Sequence, residues 1–125
     1  MPALGLRRKV ILLVEDDPAT RELYCSALRQ LGGFAVVPVS DGAEALRYLE
    51  MDSPDAVVLD LQLPRVSGRD VLAEIAAQSP RLPVVVVTGD DTADLDPNHY
   101  ACVIRKPAHL EDVIAALRKC LASLT

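Results

Sequence analysis

The sequence predicts an α/β fold: a doubly wound, five-stranded parallel sheet with helices on both faces. Apolar runs at 10–14, 35–39, 56–59, 84–88 and 102–105 are rich in Val and Ile and continuous rather than alternating, as in strands covered on both sides. Stretches with helical apolar spacing lie between most of these runs, and strands alternating with helices at this interval imply right-handed βαβ units. Charged residues stand where the runs stop: Glu15 and Asp16 after the first, Asp60 after the third and Lys106 after the fifth.

The first helix begins at Asp17-Pro18, an N-cap followed by an N1 proline, and Gly32-Gly33 ends it. Leu23, Ala27, Leu28 and Leu31 read as its buried face. The second helix starts near Ser40-Asp41 and buries Ala45, Leu46 and Leu49; the third follows Gly68, buries Val71, Leu72 and Ile75, and is broken by Pro80 and Pro83. The last carries Leu110, Val113, Ile114, Leu117 and Leu121 on one stripe, with Arg118 and Lys119 near the end where the helix dipole favours cations. His109 stands at its N-cap position as a weak cap.

Residues 89–101 break the pattern, since Asp90, Asp91, Asp94, Asp96 and Pro97 leave no apolar periodicity and any helix there is short or absent. Asp94, Asp96 and Asn98 imitate the opening ligands of a calcium loop. His99 stands where that loop needs glycine and Arg105 where it needs the closing glutamate, so calcium is not expected.

A chain of 125 residues, half of them apolar, suits one domain with a sizeable core. The net charge of −5 argues against a direct electrostatic role on nucleic acid or an anionic membrane, both of which select a basic face. The one basic run, Leu6-Arg7-Arg8-Lys9, reads as a solvated lead-in to the first strand. The apolar runs are far shorter than the roughly 20 residues that span a bilayer. With no signal peptide, and with Cys25, Cys102 and Cys120 reading as structural thiols, a cytoplasmic setting is expected.

In an open parallel sheet the strand ends converge on one edge, where ligands bind. Carboxylates clustered there repel one another unless a cation joins them or one stays protonated. A hard ion such as Mg²⁺, with Mn²⁺ as a substitute, suits that ligand set. Asp60 is placed to attack a phosphoryl group in line, while the metal and Lys106 neutralise its oxygens and the hydroxyl of Thr88 donates beside Gly89. Asp17, by contrast, reads as a helix cap.

These residues, in this order at successive strand ends, resemble the receiver domain of two-component response regulators over nearly the whole chain. The resemblance places the family's paired acids at Glu15 and Asp16, its phosphoacceptor at Asp60, its hydroxyl residue at Thr88 and its lysine at Lys106, with Pro64 and Gly68 in register in the loop 60–68. It implies a flavodoxin-like strand order 2-1-3-4-5, with the fourth helix short or irregular here. It implies Mg²⁺ held by Asp16, Asp60 and the carbonyl of Gln62, with Glu15 acting through water, and a cis Lys106-Pro107 bond. The implied donor is a sensor histidine kinase or a histidine phosphotransfer protein, with an unidentified protein downstream and no output domain within residues 1–125.

The chain departs from that family at Val103, where Tyr or Phe is usual, and at His99-Tyr100, where a Gly-Ala pair is usual. Three other functions compete with this one. A magnesium phosphohydrolase using Asp60 as nucleophile wants a second Asp where Gln62 stands. A receiver-like interaction module insensitive to phosphorylation would follow from Val103 and the irregular 89–101 segment. A nucleotide-binding domain lacks its glycine-rich phosphate loop.

Overall fold

The structure, a computed structural model, describes residues 7–122. Five strands, β1 (Val10–Val14), β2 (Ala35–Val39), β3 (Ala56–Asp60), β4 (Val84–Thr88) and β5 (Cys102–Arg105), form one sheet in the order β2-β1-β3-β4-β5. Every neighbouring pair is parallel. Four α-helices cover it: α1 (Pro18–Gln30), α2 (Gly42–Met51), α3 (Gly68–Gln78) and α4 (Leu110–Ala122). Where a further helix could join β4 to β5 there is only a 3-10 turn, Pro97–His99, as the scarcity of apolar residues there requires.

Strand alternation sorts the core into two layers. Ile11, Leu13, Val58, Val85 and Val87 face α1 and α4, whereas Leu12, Val14, Val57, Leu59, Val84 and Val86 face α2 and α3. The inner strands β3 and β4 are buried throughout. The edge strands β2 and β5 are only half-covered, which corrects the expectation that all five runs are buried on both faces. An edge strand has a neighbour on one side only, so its rim stays wet.

The caps follow the sequence. Asp17 accepts from the Thr20 amide and Pro18 opens α1; Asp41 and Ser67 do the same capping work for α2 and α3. Gly33 takes a φ of +74°, the left-handed turn that lets the chain leave α1 for β2.

The buried face of α1 differs from the one expected. Leu28 is fully enclosed, and its neighbours one turn back, Tyr24 and Cys25, are buried with it. Leu23 and Leu31 are 57% and 65% exposed. The expected stripe thus holds at Ala27 and Leu28 and fails at Leu23 and Leu31. The thiols divide as well: Cys25 is buried, while Cys102 and Cys120 are half-buried. Leu6 lies outside the described residues, and Arg7, Arg8 and Lys9 are exposed. No helix among the described residues is long and apolar enough to cross a membrane.

Candidate functional site

Register brings the carboxylates together. Val14 pairs with Leu59, so the residues that follow them, Glu15 and Asp60, emerge side by side at the carboxyl edge of the sheet. Glu15 continues the β1–β2 ladder, its amide donating to the Val39 carbonyl at 3.2 Å. The next turn is fixed by Arg21 of α1, which donates to the carbonyls of Glu15 at 2.9 Å and Asp16 at 3.3 Å. One carboxylate oxygen from each of Glu15, Asp16 and Asp60 lies within 4.8 Å of the others. Glu15 and Asp60 are buried and Asp16 is exposed.

They line an open cleft of about 470 Å³ that also receives Gln62, Lys106 and Tyr24. Burial, together with the charges of Asp60 and Asp16, outweighs the Asp17 amide and Lys106 and raises the Glu15 pKa to about 7. Uncompensated negative charge of this kind is what a divalent cation relieves, and three hard oxygen donors fit Mg²⁺.

Asp60 is held by both oxygens. Its Oδ1 accepts the Gln62 amide at 2.9 Å and its Oδ2 accepts Lys106 Nζ at 3.0 Å. Burial disfavours the Lys106 ammonium, but the hydrogen bond and charge of Asp60, with Glu15 behind it, prevail and raise its pKa. The Lys106-Pro107 bond is cis, which proline makes accessible.

Thr88 stands at the same edge but differently oriented. Fully buried, it shares the α2/α3 face with Val84 and Val86 by strand alternation, and its Oγ1 accepts the Asp90 amide at 2.9 Å. The hydroxyl proton remains available to donate. Gly89 leaves space: a Cβ there would meet only Lys106 Cβ, at 3.9 Å.

The loop after Asp60 is tightly built. Gly68 donates to the Leu61 carbonyl at 3.1 Å, and a Cβ at Gly68 would lie 2.3 Å from Leu61 Cα. Arg65, at φ +63°, reaches the α2 cap Asp41 at 2.6 Å.

Among the described residues, no metal-ligating cluster other than Glu15, Asp16 and Asp60 is found. Two of the three calcium-like residues are otherwise engaged, with Asp94 bound by Arg69 and Asp96 capping the 3-10 turn. Asp17 caps α1. The sequence did not single out Arg21 or Tyr24. Both lie in the first two turns of the helix that follows the acidic pair, and that proximity was the available signal.

The response regulator receiver domain family matches residues 11–118. Response regulator MprA of Mycolicibacterium vanbaalenii is 35% identical over 122 residues, covering 92% of this chain and 51% of that protein. The chain thus spans about half the length of this curated relative. A receiver domain protein of Methanospirillum hungatei superposes with a TM-score of 0.86 at 22% identity, covering 94% and 96% of the two chains, a likeness of fold. The Thermotoga maritima response regulator TrrA, solved in complex with Mg²⁺-BeF, has a TM-score of 0.81 at 26% identity, covering 90% of this chain and 99% of that one.

Proposed function

The chain belongs to the response regulator receiver domain family, and from that premise we propose that Asp60 accepts a phosphoryl group from a phosphohistidine. The donor is a sensor histidine kinase or a histidine phosphotransfer protein. An Asp60 carboxylate oxygen attacks phosphorus, the P–N bond breaks, and its electron pair leaves on the imidazole nitrogen, which takes a proton from solvent. The observation that carries this reading is the buried Asp60 carboxylate held at 3.0 Å by Lys106 inside an acidic cleft.

Asp16, Asp60 and the Gln62 carbonyl would hold Mg²⁺, or Mn²⁺ in its place, with Glu15 acting through water. When bound, the ion neutralises charge on the transferring phosphoryl oxygens. Lys106 releases Asp60 Oδ2 and follows the phosphoryl group as a point charge. The Thr88 hydroxyl donates to a phosphoryl oxygen. No external substrate is turned over; the protein promotes only its own phosphorylation and hydrolysis. The phosphorylated state then alters binding of a downstream protein by shifting a pre-existing equilibrium. The reading takes residues 1–125 as one receiver unit acting in the cytoplasm, without direct contact to nucleic acid or membrane.

Incubation with a histidine-phosphorylated donor and Mg²⁺ should add one phosphoryl mass to the intact protein. A chelator or Asp60→Asn should abolish it, and a gain that persists in Asp60→Asn contradicts the assignment. The second reading, a module insensitive to phosphorylation, is favoured by Val103 and by residues 89–101, none of which is fully buried. It predicts partner binding that is unchanged on phosphorylation.

A further inference from the structure

Arg69, in the first turn of α3, reaches across to the β4–β5 connection. Its Nε donates to Asp94 Oδ2 at 2.9 Å, and its Nη2 donates to Asp94 Oδ1 at 3.2 Å and to the Asp91 carbonyl at 2.7 Å. Its Nη1 lies 3.5 Å from Asp90 Oδ2. A guanidinium forked onto both oxygens of one carboxylate fixes orientation as well as distance.

Asp90 joins this clasp to the site. Its amide donates to Thr88 Oγ1 at 2.9 Å, its Oδ1 accepts Gln62 Nε2 at 3.1 Å, and its carbonyl accepts Arg105 Nη1. The Gln62 backbone N–H donates in turn to Asp60 Oδ1 at 2.9 Å. A continuous series of contacts therefore runs from Asp60 through Gln62 and Asp90 to Arg69 and Asp94. Thr88 joins it through the Asp90 amide.

We propose that Arg69 is a positioning residue for the switch: it clasps residues 90–94 against α3 while Asp60 is unmodified and lets them go when Asp60 carries a phosphoryl group. The inference rests on the reading of Asp60 as the phosphoacceptor. Phosphorylation replaces the single negative charge of the Asp60 carboxylate with about two on the phosphoryl group, a net gain of about one negative charge one hydrogen-bonded residue away from the Asp90 carboxylate. Gln62 Nε2 then finds better acceptors on the phosphoryl group than on Asp90, and the Asp90 charge is repelled. Asp90 moves, and the Asp91 carbonyl and Asp94 carboxylate, close behind it in the chain, lose their alignment with Arg69. Arg69 and Asp94 side chains are 34% and 61% exposed, so the clasp is a weak one that a local push can open.

The test is hydrogen exchange on the whole chain with Mg²⁺, with and without beryllofluoride, for the wild type, Arg69→Ala and Asp94→Asn. Asp94→Asn breaks the clasp from the loop side and leaves the Arg69 charge beside Asp90. In the wild type, exchange over 90–100 should quicken when beryllofluoride binds. In both variants it should already be fast without the mimic and change little on adding it. Because coupling is reciprocal, both variants should bind beryllofluoride more tightly, by about two- to fivefold for a contact this exposed. If both variants keep the wild-type response and affinity, or if the mimic binds the wild type and leaves 90–100 unchanged, the clasp has no such role and the phosphoacceptor reading stands. Failure of the wild type to bind the mimic sinks that reading and the clasp with it.

Discussion

Glu15 is buried beside two other carboxylates, and its pKa of about 7 compares with an ordinary value of 4.5. Between those values the folded protein keeps a proton that the unfolded chain has released. Without metal, this group's contribution to stability is complete below about pH 4.5 and is lost progressively as pH rises toward 7. Denaturation midpoints in chelator should therefore slope downward across that window, and Glu15→Gln should flatten the slope; an unchanged slope in the variant would contradict the assignment. Asp16→Asn should weaken Mg²⁺ binding about tenfold or more, a loss of roughly 1.4 kcal/mol, while Asp17→Asn should leave it nearly unchanged because Asp17 is committed to the Thr20 amide. Equal losses in titration calorimetry would remove the distinction. Lys106→Ala should preserve or tighten Mg²⁺ binding, because it deletes a positive charge beside the acidic cluster, while impairing the phosphorylated state, whose phosphoryl oxygens lose that cation. The positions of Glu15, Asp16, Asp60 and Lys106 were legible because each follows an apolar run whose direction is fixed by a parallel sheet. The engagement of Asp90 by Gln62 and Arg69 was not, because it depends on how two loops and the start of α3 fold against one another.

At the scale of elements, the loop from β3 to α3 has no slack. An alanine at Gly68 would press on Leu61 Cα at 2.3 Å and on the Asp60 carbonyl oxygen at 2.6 Å, backbone atoms at the end of β3 and just beyond it. Gly68→Ala should cost about 1–3 kcal/mol in denaturant unfolding and slow phosphorylation as Asp60 shifts. Gly89→Ala makes a useful contrast, because its new methyl meets only Lys106 Cβ at ordinary contact distance; stability should stay within about 0.5 kcal/mol. Similar losses for both would mean that space at these glycines is not the controlling factor. Strand positions, caps and the missing helix between β4 and β5 could be read from apolar runs, Asp-Pro spacing and the aspartates at 90–96. The α1 face could not. Leucine spacing supports a stripe through Leu23 as well as one through Tyr24, and only packing against β1 and α4 selects the second.

For the whole molecule, the order β2-β1-β3-β4-β5 places the reversal of strand order between β1 and β3. Ligands of open α/β sheets bind at such a point, and that is where Glu15, Asp16 and Asp60 meet. The two core layers hold this edge in place. Leu59, fully buried and adjacent to Asp60, should cost about 2–5 kcal/mol when cut to alanine, and the same loss should weaken Mg²⁺ binding by disturbing the β3 terminus. A destabilised variant with unaltered metal affinity would separate the core from the site. The central claim is that Asp60 alone receives the phosphoryl group, and borohydride trapping tests it most directly. Hydride reduces an aspartyl phosphate to the alcohol with release of phosphate, so peptide mapping of the phosphorylated, reduced protein should find homoserine at position 60 and at no other aspartate. Homoserine at position 16 or 17, or none in a protein that has gained a phosphoryl mass, would contradict the account.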